Sequence, residues 1–121
     1  MRYTRSIVPL LNNVLQAIED LQAVDIRIYD MQQVSPFYEY SIICSGRSDR
    51  QTRAIYERLV TLAQQESYPY RVEGAEGGRW ILVDLGRVII NIFVPEEREY
   101  FNLEKLWLGV PQITLDDVRN V

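Results

Sequence analysis

The chain has no histidine and only one cysteine. Histidine is the commonest general base, metal ligand and triad member, so its absence removes the simplest route to each. Cys44 has no partner for an internal disulfide and cannot assemble a zinc site without histidine. It follows Ile42 and Ile43, the setting of an inert core thiol, because reactive thiols need exposure and cationic neighbours. Positive charge is in the minority: 13 Lys and Arg stand against 17 Asp and Glu, a net charge of −4, with an isoelectric point near 4.8. Binding to nucleic acid without sequence preference needs clustered cations, so the balance argues against it. No apolar run is long enough to span a bilayer. Residues 1–11 have neither an unbroken hydrophobic region nor a small-residue cleavage site, so they are not read as a signal peptide. These absences predict a cytoplasmic protein with no membrane partner, no metal, no cofactor and no catalytic residue.

What is present is an ordinary globular composition over 121 residues, 47% hydrophobic and 25% charged, enough for one core. The most informative stretch is residues 79–94, which reads as a β-hairpin turning at Gly86-Arg87, since glycine accepts the positive φ of a two-residue turn. With that turn, Leu85 opposes Val88, Asp84 opposes Ile89, Leu82 opposes Asn91 and Trp80 opposes Phe93. Side chains alternate along a strand. One face then carries Ile81, Val83, Leu85, Val88, Ile90, Ile92 and Val94, all aliphatic. The other carries Trp80, Leu82, Asp84, Ile89, Asn91 and Phe93. The first is a core face; the second mixes large apolar groups with a few polar ones, the make-up of a protein-binding patch.

Around the hairpin, Ile7, Leu11, Val14, Ile18 and Leu21 recur at helical spacing and predict a helix from Thr4 or Ser6 to Ala23, with Pro9 tolerated in its first turn. Strands are predicted over Asp25 to Met31 and Tyr38 to Cys44, separated by a turn at Val34-Ser35-Pro36-Phe37. Ser48-Asp49-Arg50-Gln51 is a capping box opening a second helix to Gln65, which buries Ile55, Leu59 and Leu62 and approaches closely at Ala54 and Ala63. A short strand at Tyr70 to Glu73 precedes the hairpin. Pro95-Glu96-Glu97 suits a helix start, and Tyr100, Leu103, Leu106 and Trp107 form that last helix's apolar stripe. The tail after Pro111 reads as polar, acidic and frayed. The expected fold is α/β, a single mixed five-stranded sheet with helices mainly on one face, as residues 1–107 followed by a tail of 108–121.

Reactive groups are sparse. Asp30 and Asp84 lie near strand ends, where catalytic carboxylates often sit, but the plainer reading is that they cap turns. Ser45-Gly46-Arg47-Ser48 enters a helix N-terminus with Arg47, Arg50 and Arg53 beside it, an anion site in principle. It loosely resembles the glycine-serine turn of nucleotidyltransferases, yet the closely spaced metal-binding carboxylates of those enzymes are missing. Glu96-Glu97-Arg98-Glu99 is either a solvated helix start or a patch meeting cations on a partner.

Several strings together resemble the ribosomal silencing factor (RsfS, Iojap-related) family: Ala23-Val24-Asp25-Ile26, Ile43-Cys44-Ser45-Gly46 with Ser48 and Gln51, Val72-Glu73-Gly74, Trp80, Val83-Asp84-Leu85-Gly86, Pro95-Glu96-Glu97-Arg98-Glu99-Tyr100 and Leu103-Glu104-Lys105-Leu106-Trp107. The resemblance spans about Val14 to Trp107. It implies a nucleotidyltransferase-like topology without enzymatic activity. It also implies binding to the large-subunit ribosomal protein numbered fourteen, which blocks joining of the small subunit and damps translation. Where many members have a histidine in the second hairpin strand, this chain has Asn91. The expected partner-binding residues are Trp80, Leu82, Asp84, Ile89, Asn91, Phe93, Glu97, Arg98 and Tyr100, with Trp80 and Phe93 as aromatic anchors. Two rivals remain: a nucleotide binder using Gly46, Ser48 and Arg50, and a homodimer formed through the hairpin face when the partner is absent.

Overall fold

The computed structural model describes residues 6–119. Helix α1 spans Val8–Asp20, with Pro9 in its first turn and Leu10, Leu11, Val14, Leu15, Ala17 and Ile18 buried. The alternative start at Thr4 lies outside the described residues. The helix ends three residues earlier than its apolar periodicity predicts, because Gln22 takes φ +60° and the amides of Gln22 and Ala23 fold back onto the carbonyls of Glu19 and Ile18. This left-handed closure satisfies carbonyls that the helix itself leaves open.

Strands β1 (Val24–Asp30) and β2 (Tyr40–Ser45), helix α2 (Asp49–Gln65), and strands β3 (Arg71–Glu73), β4 (Trp80–Asp84) and β5 (Val88–Phe93) follow. Next come helix α3 (Pro95–Phe101), a 3-10 segment (Leu103–Trp107), β6 (Gln112–Ile113) and helix α4 (Leu115–Arg119). The sheet has six strands rather than the expected five, in the order β3-β4-β5-β2-β1-β6. It is mixed: β2 and β5 run parallel, and the remaining neighbours are antiparallel. The hairpin register is the one read from the sequence, Trp80 opposite Phe93 through Asp84 opposite Ile89. Gly86 at the first turn position has φ +88°, and Leu85 N–H donates to the Val88 carbonyl at 2.9 Å.

The extra strand comes from the tail. Instead of fraying, β6 pairs with Ile28 and Tyr29 of β1, and α4 returns Val118 to the main core at 2% exposure. The acidic composition hid this because the burial rests on single apolar residues, Ile113, Leu115 and Val118, too few to show a period. The last helix also differs from expectation. Asn102 adopts φ +46°, ψ +52° and ends α3 at Phe101. The chain restarts as the 3-10 segment with a new phase, so Leu103 and Trp107 turn inward while Tyr100 and Leu106 are 81% and 74% exposed.

The aliphatic hairpin face, Ile81, Val83, Leu85, Val88, Ile90 and Ile92, is completely buried beneath α1 and α2. Ile55 and Leu59 of α2 reach it; Ala63 is buried there, whereas Ala54 is exposed. A smaller cluster of Tyr29, Met31, Ile43 and Phe93 lies on the opposite sheet face under Trp80, Leu103, Trp107 and Val110. Among the described residues no helix is long and apolar enough to cross a membrane. Cys44 is fully buried in β2, and burial pushes its thiol up to about 12 despite the Arg98 charge. The thiol is therefore expected to resist a disulfide reagent at pH 8 in native buffer and to react stoichiometrically in denaturant; rapid native labelling would contradict this burial.

Candidate functional site

The second face of the hairpin is partly open, and Trp80 dominates it. Its indole stacks on Phe93 with ring centroids 4.9 Å apart at 25°, and Phe101 leans against it at 4.8 Å and 47°. Its Nε1–H donates to Asn91 Oδ1 at 2.8 Å across the β4–β5 pair. The ring is held in place by three neighbours before any partner arrives, which lowers the entropic cost of using it as an anchor.

Trp80 and Leu82 form a ridge between two hollows. One, about 330 Å³, is bounded by Glu73 and Gly74. The other, about 240 Å³, runs from Trp80, Leu82 and Ile89 to Tyr38 on one side and to Leu103 and Trp107 on the other. Trp107 closes the far wall by packing on Tyr29, centroids 5.1 Å apart. Outside the ridge, Phe101 is 47% exposed, and its ring meets that of Tyr100 edge-on at 5.0 Å.

Of the nine expected contact residues, Trp80, Leu82 and Ile89 are half-buried on this face, and Tyr100 projects from α3 beside it. Phe93 is completely buried: it supports Trp80 from beneath and is no surface anchor. Asn91 is 3% exposed and is committed to Trp80 through its carbonyl. Arg98 is buried as well, contrary to a role on the surface. Its guanidinium meets Glu104 through Nε at 3.2 Å and Nη2 at 3.3 Å, donates from Nη1 to Ser45 Oγ at 2.9 Å and lies 3.5 Å from Asp25. Glu97 is spent on Arg79 at 3.1 Å, with Glu96 beside it at 3.3 Å, which ties the start of β4 to the start of α3. Asp84 accepts from Gly86 N–H at 2.8 Å and from the Tyr38 hydroxyl at 2.6 Å. That hydrogen bond, with burial behind it, pushes the Tyr38 phenol up to about 12.

Sequence reasoning missed Tyr38, Phe101, Leu103 and Trp107 as parts of this face. Tyr38 meets Asp84 across 46 positions, which no local pattern reports. Phe101 and Trp107 were obscured by the unforeseen break at Asn102.

The loop joining β3 to β4 fixes the entry to Trp80 and also bears on the nucleotide reading. Gly74 has φ +82°, and a Cβ there would stand 2.1 Å from the Trp80 carbonyl oxygen, so only glycine fits. Gly78 packs on Asp49 and Arg53 with no room for a Cβ. Arg53 donates to the carbonyls of Ala75 and Glu76, and Thr52 donates to that of Gly78. Ser48 caps α2 by accepting from Gln51 N–H at 3.2 Å. Gln51 reaches one residue beyond the expected box, accepting from Arg47 N–H at 2.6 Å and donating to the Leu21 carbonyl. The first turn of α2 is thus packed by a loop of its own chain, and one of the three arginines is used to hold that loop. Among the described residues no group of three or more His, Cys, Asp or Glu could hold a metal ion.

Fold and face together define a small α/β domain with a mixed sheet, which displays a fixed aromatic ridge beside apolar hollows. The chain belongs to the family described as "Ribosomal silencing factor during starvation", whose model matches residues 4–121. It is 39% identical over 108 residues to the ribosomal silencing factor of Bacillus subtilis, covering 88% of this chain and 92% of that one. A crystal structure of a Bacillus halodurans protein is similar, with a TM-score of 0.79 and 37% identity over 88% of this chain and 98% of that chain. The mouse protein named mitochondrial assembly of ribosomal large subunit protein 1 is 31% identical over 101 residues, 80% of this chain but 44% of its own length.

Proposed function

We propose that this protein represses translation by occupancy: it docks on the large-subunit ribosomal protein numbered fourteen and, sitting where the small subunit would meet it, keeps the two subunits apart. The observation that carries the reading is the Trp80 ridge, an aromatic anchor stacked on Phe93, flanked by Phe101 and hydrogen-bonded to Asn91 before any partner binds. Interface anchors are typically such aromatic groups seated at the centre of a patch. Trp80, Leu82, Ile89 and Tyr100 make the contacts in this reading, joined by Phe101. Asn91 and Phe93 work from beneath, and Asp84, Glu97 and Arg98 hold the frame. The net charge of −4 suits a basic ribosomal protein better than RNA, and complementary charge speeds encounter. Family membership and the name of the mouse relative support a large-subunit partner. In this reading the protein works in the cytoplasm.

A test is sedimentation with purified ribosomal particles. The protein should travel with free large subunits and not with small subunits or joined ribosomes. Equal binding to both subunits, or binding to naked ribosomal RNA, would overturn the reading.

The rival, a nucleotide binder of nucleotidyltransferase-like topology, rests on the Ser45-Gly46 turn. It is disfavoured by the packing of Gly78 and Arg53 over that helix start. Calorimetry with nucleoside triphosphates and magnesium should give no binding heat. Self-association is favoured by one observation, the exposure of Tyr100, Phe101, Leu106 and Leu108 near one another in sequence. In this reading the partly open hairpin face, with these groups beside it, meets a second copy when its partner is absent.

A further inference from the structure

The outward face of α3 contributes little to the fold. Arg98 points inward and is buried, and Glu97 is turned to Arg79 at 3.1 Å. Positions 96, 99 and 100 have the i, i+3, i+4 spacing that puts side chains on one helical face. Glu96, Glu99 and Tyr100 therefore form one stripe opposite Arg98, and all three are exposed. The stripe holds two carboxylates, one phenol ring and no cation. Glu96 keeps 87% of its side-chain exposure and meets Arg79 through Oε2 alone, at 3.3 Å. The Glu99 carboxylate has no partner among the described residues. Tyr100 is 81% exposed, so at least one face of its ring is open to solvent.

This stripe is continuous with the Trp80 ridge. Phe93, Trp80, Phe101 and Tyr100 are linked ring to ring, with centroids 4.9, 4.8 and 5.0 Å apart in turn. The series begins at a completely buried Phe93 and ends at Tyr100. Arg79 adds a second tie, because it leads directly into β4 while its guanidinium holds α3. Val34, Phe37 and Tyr70 apart, the large hydrophobic residues left exposed among the described ones all lie between Tyr100 and Leu108. The apolar surface that folding leaves uncovered is thus concentrated next to the acidic stripe.

We propose that the outward stripe of α3 is a cation-reading arm of the docking face: an arginine from a loop of the basic partner lies over the open face of Tyr100, with its charge met by Glu96 and Glu99. A guanidinium suits the stripe because it stacks flat on a phenol ring while its edge donates to carboxylates. A nucleic-acid backbone has the wrong sign for it. Tyr100 and Glu99 are then specificity-determining contacts, while Trp80 supplies the apolar anchor beside them. The proposal rests on the docking reading above and deepens it.

The experiment measures binding to purified large ribosomal subunits at low and high salt for Tyr100→Leu, Tyr100→Phe, Glu99→Lys and Trp80→Ala, with thermal melting beside each so that affinity is expressed per folded molecule. Tyr100→Leu keeps apolar bulk and removes the π face. It should bind about two- to fivefold more weakly, the scale of one exposed cation–π contact. Tyr100→Phe keeps the π face and should bind as the parent does. Glu99→Lys should weaken binding about tenfold at low salt, and the gap should close as salt screens it. These three positions are exposed, so melting should be nearly unchanged. Tighter binding of Glu99→Lys would mean that the stripe faces phosphate and would overturn the proposal. Parent-like binding of either Tyr100→Leu or Glu99→Lys, beside weak binding of Trp80→Ala, also overturns it and leaves the docking face intact. If Trp80→Ala binds as the parent does as well, or the unaltered protein does not bind at all, the docking reading fails and this arm fails with it.

Discussion

Replacing Arg98 with alanine is expected to cost about 3–5 kcal/mol of stability, because it strands carboxylates that the guanidinium holds. Arg98 is 7% exposed, and its contacts join three separate parts of the chain: Glu104 in the 3-10 segment, Ser45 at the end of β2 and Asp25 at the start of β1. Glu104 keeps 26% and Asp25 56% of side-chain exposure, so water screens part of the loss and the lower end of that range is expected. The local consequence is more specific than the global one. Glu104 anchors the segment that lays Leu103 and Trp107 over Tyr29 and Phe93, so its release should loosen Trp107 before the main core opens. Denaturant unfolding read by tryptophan fluorescence and by far-ultraviolet circular dichroism checks both. Coincident transitions shifted by less than about 1 kcal/mol would mean that Arg98 is only a surface group.

The same residue marks where the sequence was legible and where it was not. The strand register and the buried aliphatic face followed from alternation on either side of a turn that Gly86 marks, because residues 80–85 and 88–94 each hold their period. The start of α2 followed from its serine cap. Arg98 was misread because a charged residue in a helix's first turns is usually solvated. Nothing local announces that Glu104 and Asp25 will fold around it from 6 positions downstream and from the far end of the chain. Phe93 was misread for a related reason. Alternation places it correctly on the second face, but it cannot reveal that Leu103 and Trp107 of the 3-10 segment will pack over the cluster that holds it after a left-handed Asn102. The candidate site thus divides along a physical line. Its framework is written in periodicity, and its cover is written in tertiary contacts.

Trp80→Ala and Ile90→Ala should separate binding from folding on the two faces of one hairpin. Ile90 is completely buried in the main core, so its truncation should cost roughly 2–5 kcal/mol of stability, with any loss of partner binding following from unfolding. Trp80 is half-buried and belongs to the rim of the smaller cluster. Its removal takes the stack from Phe93 and Phe101 and the hydrogen bond from Asn91, so some stability is lost. The aliphatic core beneath α1 and α2 is untouched, and the fold should persist. Binding to large subunits should weaken by about 2 kcal/mol or more, a factor of about 30, if Trp80 is the central anchor. Melting and affinity measured side by side decide the matter. Should Trp80→Ala unfold the domain while affinity per folded molecule stays unchanged, Trp80 is core. The partner surface would then have to be sought away from the ridge, around the exposed Tyr100, Leu106 and Leu108.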